Sequence, residues 1–497
     1  MQTIDKIAVI TIIVLSFTIS ILVWGTNACG TECLFHVKPQ VTNFSWQNKA
    51  IGREDRAFLL YFNRPIDRDS IENNLVIEPP LEGKISWSGN KLAYTLDAPA
   101  PYGEKYRLFL EAGNQQFAGG EAAGEAIKPF FGQFKTRDRA FAYIGSEGNN
   151  QGRLILYNWT KQEKTVLTPD NLVVFDFEPY PQGDRILFSA VAKKQQQDIS
   201  QLKLYSVTTG VNDNSSPAFN PEIQLVLDSK KYQNNKFDLS QDGKTIVVQR
   251  INQNNANDFG LWKITEDLVP QPLETEAVGD FLLTPDSQTL AVAQGEGIAL
   301  LPLNPDAVPL DFLPQFGRVV TFSTDGMAAA MVNYNTENAD LRYTKSLYYV
   351  NNQGVQKELL NLEGSIIDCQ FNPTATHLYC LLTELKFSNN LTLGQADAEY
   401  REQPYLAEIN LKTGKTIPLL ALPEYHDSEL SVAPDGLGVL FDQVLTTNTP
   451  VTEANPSDSS STIIKSRLWL LLPPTNESEV HQVEQLPLIG FHPQWLP

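Results

Sequence analysis

The chain has 497 residues, with 38 lysines and arginines against 58 aspartates and glutamates, giving a formal charge of −20 and a pI near 4.7. That balance excludes electrostatic capture of nucleic acid or of an anionic lipid surface, because phosphates need a basic footprint. Protein, glycan, small-molecule and cation ligands remain, and acidity also serves solubility.

Residues 1–6 are a short tail, and Ile7 to Trp24 is uncharged and almost wholly apolar. At about 1.5 Å per residue it is long enough to cross a bilayer core of roughly 30 Å, which predicts a membrane anchor. Two other readings are a cleaved signal peptide, with Thr26-Asn-Ala28 as a poor site, and a lipoprotein signal at Cys29, where Thr26 stands in place of the expected apolar residue. Lys6 before the segment and Glu32 after it give a small positive-inside bias. With the large bulk that follows, this predicts a single-pass protein of the bacterial inner membrane, its bulk on the periplasmic side, and residues 25–38 as a linker.

Across residues 39–138, short alternating runs and turns at Glu82-Gly83 and Ser88-Gly89-Asn90 predict a small antiparallel β-sandwich. Ala112 to Ala126, rich in Gly, Ala and Glu, reads as a surface loop.

From 139 to 497 a unit recurs at roughly fifty-residue spacing, the signature of a β-propeller. Seven apolar runs end in a turn: those at Phe175, Phe237, Phe281, Val320, Cys369, Leu430 and Ile489, with Pro, Asp or Gly in the turn. Pro presets φ, Asp bonds its own backbone and Gly tolerates positive φ, so the chain reverses in about four residues. Ser287 and Ala375 stand where Gly is expected. Third runs such as Leu154–Tyr157, Leu261–Ile264 and Leu468–Leu471 alternate like strands, and weaker fourth runs follow, as at Thr416–Leu420. Ala140–Ile144 begins at a second strand, and Leu488–Pro493 is a first strand with no successor. Together they complete a blade, so the C-terminal strand closes the ring and removes two edges. Seven blades are expected, with six as the alternative. The fold class is therefore all-β.

The turn and strand pattern over about 139–497 resembles the WD-repeat-like propellers of the TolB type. Ala57–Asp67, Leu75–Pro79, Leu92–Leu96, Tyr102–Leu110 and Phe131–Thr136 resemble a bacterial immunoglobulin-like module of surface-layer proteins. Neither resemblance supplies catalytic residues.

The five histidines, His36, His377, His426, His481 and His492, have no metal spacing, and no HExxH, CxxC pair or G-x-S-x-G elbow occurs. His492, in the closing strand, reads as structural. Asp176, Asp238, Asp280, Asp368 and Glu429 fall on the strands nearest the axis. Such carboxylates either gather at the channel to hold Ca²⁺ or Mg²⁺ through oxygen, or bond backbone of their own or the next blade; no other cofactor is implied. A four-residue turn sets Cys369 opposite Cys380, which fits a disulfide or two buried thiols, and a loop one residue longer would put them on opposite faces.

Connections between second and third strands are long at Lys193–Ser200, Asn252–Asp258, Asn333–Lys345, Lys386–Gln403 and Thr446–Ile464, all on one rim. Lys386–Gln403 carries Phe387, Leu391, Leu393 and Tyr400, the candidate contacts for a partner. The first functional reading is a membrane-anchored interaction module binding a protein or glycan through that rim. The other is a hydrolase or lyase acting on a glycan or ester with carboxylates at the channel mouth.

Overall fold

The computed structural model describes residues 11–19, 38–111, 126–196, 198–211, 219–275, 279–295, 297–304, 306–307, 311–336, 338, 340–341, 344–387, 400–422, 428–447, 462–474 and 480–497. Residues 11–19 form a helix whose apolar side chains are exposed. The rest of the expected anchor, residues 7–10 and 20–24, lies outside the described residues, as does the loop at 112–125. No helix among the described residues is long and apolar enough to cross a membrane.

Two four-stranded sheets form the sandwich. In spatial order, one holds Val41–Phe44, Ala57–Phe62, Lys91–Leu96 and Gly83–Ser88, and the other Ala50–Ile51, Phe130–Thr136, Lys105–Leu110 and Leu75–Glu78. Alternate residues Phe58, Leu60 and Phe62 point inward onto Phe44, Trp46 and Phe134, where the rings pack edge-on. The expected antiparallel pattern is broken once: Ala50–Ile51 runs parallel to Lys135–Thr136. The chain switches sheets through the turn after Phe44, where Asn48 takes a left-handed φ of 58°, and the short strand enters the second sheet in the same direction as its partner. A five-residue helix, Arg68–Glu72, was also not expected; it buries only Ile71, too little to register as a helical period.

Seven further four-stranded sheets follow in chain order. The first blade is closed as the ends of the sequence require, with Gly490–Trp495 antiparallel to Ala140–Gly145, pairing Gly490 with Gly145 and Trp495 with Phe141. Blades two to seven open on inner strands Leu172–Pro179, Tyr232–Leu239, Phe281–Leu283, Arg318–Phe322, Ile366–Phe371 and Leu430–Val432. Apolar clusters lie between neighbouring blades, so each sheet is buried on both faces.

The turn from first to second strand repeats a single chemistry. The carboxylates of Asp242, Asp286, Asp325 and Asp435 accept from the amides of Lys244, Gln288, Met327 and Leu437 at 2.8 to 3.1 Å. The following residue is left-handed: Gly183, Gly243, Gly326 and Gly436 at φ of 65° to 76°, but also Ser287 at 59° and Ala375 at 50°. In the sixth blade the four-residue turn sets Cys369 directly opposite Cys380, and their sulfurs are bonded.

Three expected loops prove shorter, because backbone pairing continues past the body of the blade. Asn252 pairs with Asn255, leaving a two-residue turn. The eleven-residue strands His377–Phe387 and Tyr400–Asn410 stay paired out to Phe387 and Tyr400. Val439–Thr447 and Thr462–Leu472 do the same out to Thr447 and Thr462. Blades six and seven thus carry adjacent protruding ribbons, whose tips, 388–399 and 448–461, lie outside the described residues.

The sandwich docks on the tight-turn end of the propeller. Buried Arg137 donates to the carbonyls of Pro181 and Pro497, each at 3.2 Å, and to the Gln182 side chain at 2.8 Å, while also pairing with Glu54. Gly52 leaves room for this guanidinium, which lies 2.4 Å from where a Cβ would sit. The buried carboxylate of Asp435 pairs with Arg139 and accepts from the Tyr102 amide at 2.9 Å.

A left-handed L-residue costs about 1–2 kcal/mol, partly offset by the entropy a glycine loses on folding. Ala375→Gly should raise stability by roughly 0.5–1 kcal/mol, read as a higher midpoint in urea unfolding; Ser287 gives no such gain, because its hydroxyl accepts from the Asp242 amide at 3.0 Å. An unchanged or lowered midpoint for Ala375→Gly would contradict the turn geometry.

Candidate functional site

Counting back from each turn places two rows of side chains on the inner strands. The first is Asp176, Lys236, Asp280, Val319, Asp368, Glu429 and His492 in blades two to seven and then one, and all but Val319, which packs between blades four and five, bring polar groups to the channel. The second lies two residues on, along the same face: Glu178, Asp238, Leu282, Thr321, Gln370, Ser431 and Gln494. Bulges in several of these strands, as at Val174/Asp176 and Ile366/Asp368, re-aim the residues that follow.

The second row fastens blade to blade. Glu178 accepts from the Leu239 amide at 2.9 Å, Asp238 from the Leu283 amide, Gln370 from the Val432 amide at 2.9 Å and Ser431 Oγ from the Trp495 amide at 3.0 Å. In each case the donor is the residue that follows the equivalent position of the next blade. Asp238 therefore belongs to the seams, and the channel position of its blade is held by Lys236. The expectation that Asp238 lines the channel beside the other four is corrected on this point: a two-residue offset leaves the face unchanged, so alternation alone does not separate the rows.

The first row carries two ion clusters. Lys236 pairs with Asp280, donates to the Phe281 carbonyl at 2.8 Å, and faces Arg318, whose Nε lies 3.5 Å from Asp280. Arg318 also donates to the carbonyls of Ile366 and Ile367, each at 3.2 Å. Across the channel, His492 sits with Nδ1 2.8 Å from Glu429 and Nε2 3.4 Å from Asp176. Its backbone is left-handed, at φ 54°, and its amide donates to Asp442 at 2.7 Å. Asp442 accepts from the Glu429 amide as well, at 2.7 Å.

Asp368 is the exception. It accepts from the Cys369 amide at 2.8 Å, and no cation among the described residues comes within ion-pair range. It borders a cavity of about 260 Å³ at the channel mouth, roofed by Arg53, Arg56 and Pro99 of the sandwich.

Burial dominates the electrostatics. It pushes Asp368 and Asp442 up to about 7, with Glu429 raising both further against bonds from their neighbouring amides. Glu178 and Asp238 are likewise raised by burial. Asp176 moves up for the same reason, although nearly half its side chain meets water in the channel: protein surrounds the group while the channel keeps it wet. For His492 burial acts downward, but the charge and hydrogen bond of Glu429, with Asp176 and Asp442, raise it to about 9.

The five sequence candidates are thus spread around the ring, and no three His, Cys, Asp or Glu side chains among the described residues gather where a metal ion could be held. Sequence reasoning missed Glu178, Asp442, Lys236 and Arg318. Glu178 and Lys236 were recoverable by counting from the turn; Asp442 and Arg318 had no such signal. Phe387 and Tyr400 are backbone partners at the end of the paired ribbon of blade six, and Leu391 and Leu393 lie outside the described residues. His377 bonds within its own blade, and His481 lies 3.3 Å from Glu408. His36 and His426 lie outside the described residues.

Strand order and closure define an all-β propeller protein of seven four-stranded sheets preceded by a two-sheet sandwich. No family model matches the sequence, and no curated protein matches it. Among solved structures the chain is similar to an oligogalacturonate lyase from Vibrio parahaemolyticus, at 13% identity over 62% of this chain and 88% of that one, TM-score 0.43. It is also similar to TolB from Acinetobacter baumannii, at 11% identity over 85% and 83%, TM-score 0.39. A third is the hydrazine synthase of Kuenenia stuttgartiensis, at 12% over 63% and 96%, TM-score 0.37. Three such different proteins match at this level, so the likeness does not select a function.

The raised groups give the pH dependence a definite sign. His492 binds its proton more tightly folded (about 9) than unfolded (about 6.5), so its stabilisation is complete below 6.5 and lost as pH rises through 9. Asp368 and Asp442, raised to about 7, likewise favour the folded state at low pH and lose that contribution as pH rises through 7. The urea midpoint should therefore fall between pH 6 and pH 9, and His492→Gln should flatten the upper part of that fall. A midpoint that rises with pH would contradict the cluster.

Proposed function

We propose that the chain is a non-catalytic, membrane-tethered binding protein of the bacterial envelope. Residues 7–24 anchor it, an immunoglobulin-like sandwich spaces it from the bilayer, and a TolB-type propeller presents its loop-bearing rim to a protein or glycan. The observation that carries this reading is the polarity of the assembly. The bonds between sandwich and propeller fall on the tight-turn end, at Pro181, Gln182, Asp435 and Pro497. The paired ribbons of blades six and seven leave from the opposite end, since successive connections alternate ends.

Two further observations support it. The second-row carboxylates are occupied with blade-to-blade bonds, which leaves them poorly placed for acid–base chemistry. The Cys369–Cys380 disulfide suits an oxidising compartment outside the cytoplasm.

The test is in-cell crosslinking of the full-length chain beside a variant in which residues 388–399 are replaced by a short Gly-containing turn. The expected result is a discrete crosslinked partner, protein or glycan, that is lost with the ribbon tip while the variant still folds and stays with the membrane fraction. A partner retained by the variant, or a chain recovered free of membranes, would overturn the corresponding part of the reading.

A further inference from the structure

We propose that the cleft between sandwich and propeller is a binding site for a small ligand bearing a carboxylate or phosphate group, held between Arg53 and Arg56. The site lies at the tight-turn end, away from the rim assigned to a macromolecular partner, and does not depend on that assignment.

Both arginines come from one short segment of the sandwich and line two adjoining cavities of about 260 and 390 Å³, which share Arg53, Arg56, Gln241, Thr324 and Pro373. Neither has a carboxylate within ion-pair range among the described residues. Glu54, between them in sequence, is taken by Arg137. Asp97 lies 3.7 Å from Lys84 and offers Arg56 only its backbone carbonyl, at 3.2 Å. Arg56 Nε is buried with no hydrogen-bond partner among the described residues. The Arg53 amide is satisfied by the Tyr102 hydroxyl at 2.8 Å, but its guanidinium makes no hydrogen bond to the described residues.

The energetics make this arrangement unusual. Burial pulls Arg53 below the ordinary arginine value, against the pull of Tyr102 and Glu54. A desolvated guanidinium at Arg53 and a buried, unbonded Nε at Arg56, neither in an ion pair, cost stability, and this chain has twenty acidic residues in excess with which they could have paired. A planar guanidinium fork matches the oxygens of a carboxylate or phosphate. Gln241, Thr321, Thr324 and Gln370 add neutral polar groups to the walls. The walls also carry Glu54, Asp97, Asp325 and Asp368, which would repel a polyanion, and the volumes suit a small molecule. One oxyanion group on a small body is what this charge pattern admits.

The test is thermal unfolding and calorimetric titration of the full-length chain in detergent with sodium phosphate or sodium acetate, each against sodium chloride at equal ionic strength. Wild type should show an anion-specific rise in midpoint, and the larger response identifies phosphate or carboxylate as the group recognised. Arg53→Gln and Arg56→Gln should each weaken binding by roughly tenfold or more. In chloride alone Arg53→Gln should raise the midpoint, because an unpaired buried cation has gone; a merely structural arginine would lower it. Arg53→Lys keeps the charge and should bind with intermediate affinity. No midpoint shift beyond that of chloride in wild type, or a shift that survives in R53Q/R56Q, would overturn the site.

Discussion

A ring of sheets holds together at its seams, where inner strands of neighbouring blades meet around the channel. Inner-edge amides that point out of one blade have no ladder partner, and a buried N–H left unpaired costs about as much as a lost hydrogen bond. In this chain the answer is a side-chain acceptor from the preceding blade: Glu178 for Leu239, Asp238 for Leu283, Gln370 for Val432 and Ser431 for Trp495. Where Thr321 breaks the series, Arg318 reaches across instead and binds carbonyls of the next blade, and at the seam of Leu282 the same Arg318 turns back to Asp280. The last seam exists only because the C-terminal strand returns to the first blade, so one strand carries both ring closure and His492.

This device accounts for the acidic interior. Asp238, Asp368 and Asp442 are desolvated and raised, an unfavourable placement in isolation, yet each accepts from a backbone amide. The Lys236–Asp280–Arg318 and Glu429–His492–Asp176 clusters lie in opposite arcs of the ring and balance charge that burial would otherwise expel. These side chains of the channel wall are thereby engaged within the ring, which leaves its two ends, the rim with the ribbons and the mouth beneath the sandwich, as the places where recognition is proposed.

The architecture was largely legible in the sequence, because the turn chemistry that repeats is local and the two incomplete ends fit each other. The facing of Cys369 and Cys380 followed from the four-residue turn. The site was less legible. Asp238 and Asp176 look alike in sequence, and only their distance from the turn separates a seam acceptor from a channel residue. Lys236 and Arg318 did not stand out because cations on alternating strands usually face water. The ribbons look like loops in sequence, since polar residues beyond the blade body give no apolar alternation, whereas backbone pairing there needs none. Arg53 and Arg56 line a cleft whose other wall comes from the propeller, a placement that no local pattern encodes.

The central claim, that inner-strand carboxylates fasten the seams, is tested most directly by native-state hydrogen exchange at the Leu283 amide in wild type and Asp238→Ala. The account predicts that Leu283 loses its protection in the variant while amides in the middle of blades six and seven keep theirs. Protection of Leu283 unchanged in a folded Asp238→Ala variant would show that the seam does not depend on this carboxylate, and the acidic row would then need another explanation.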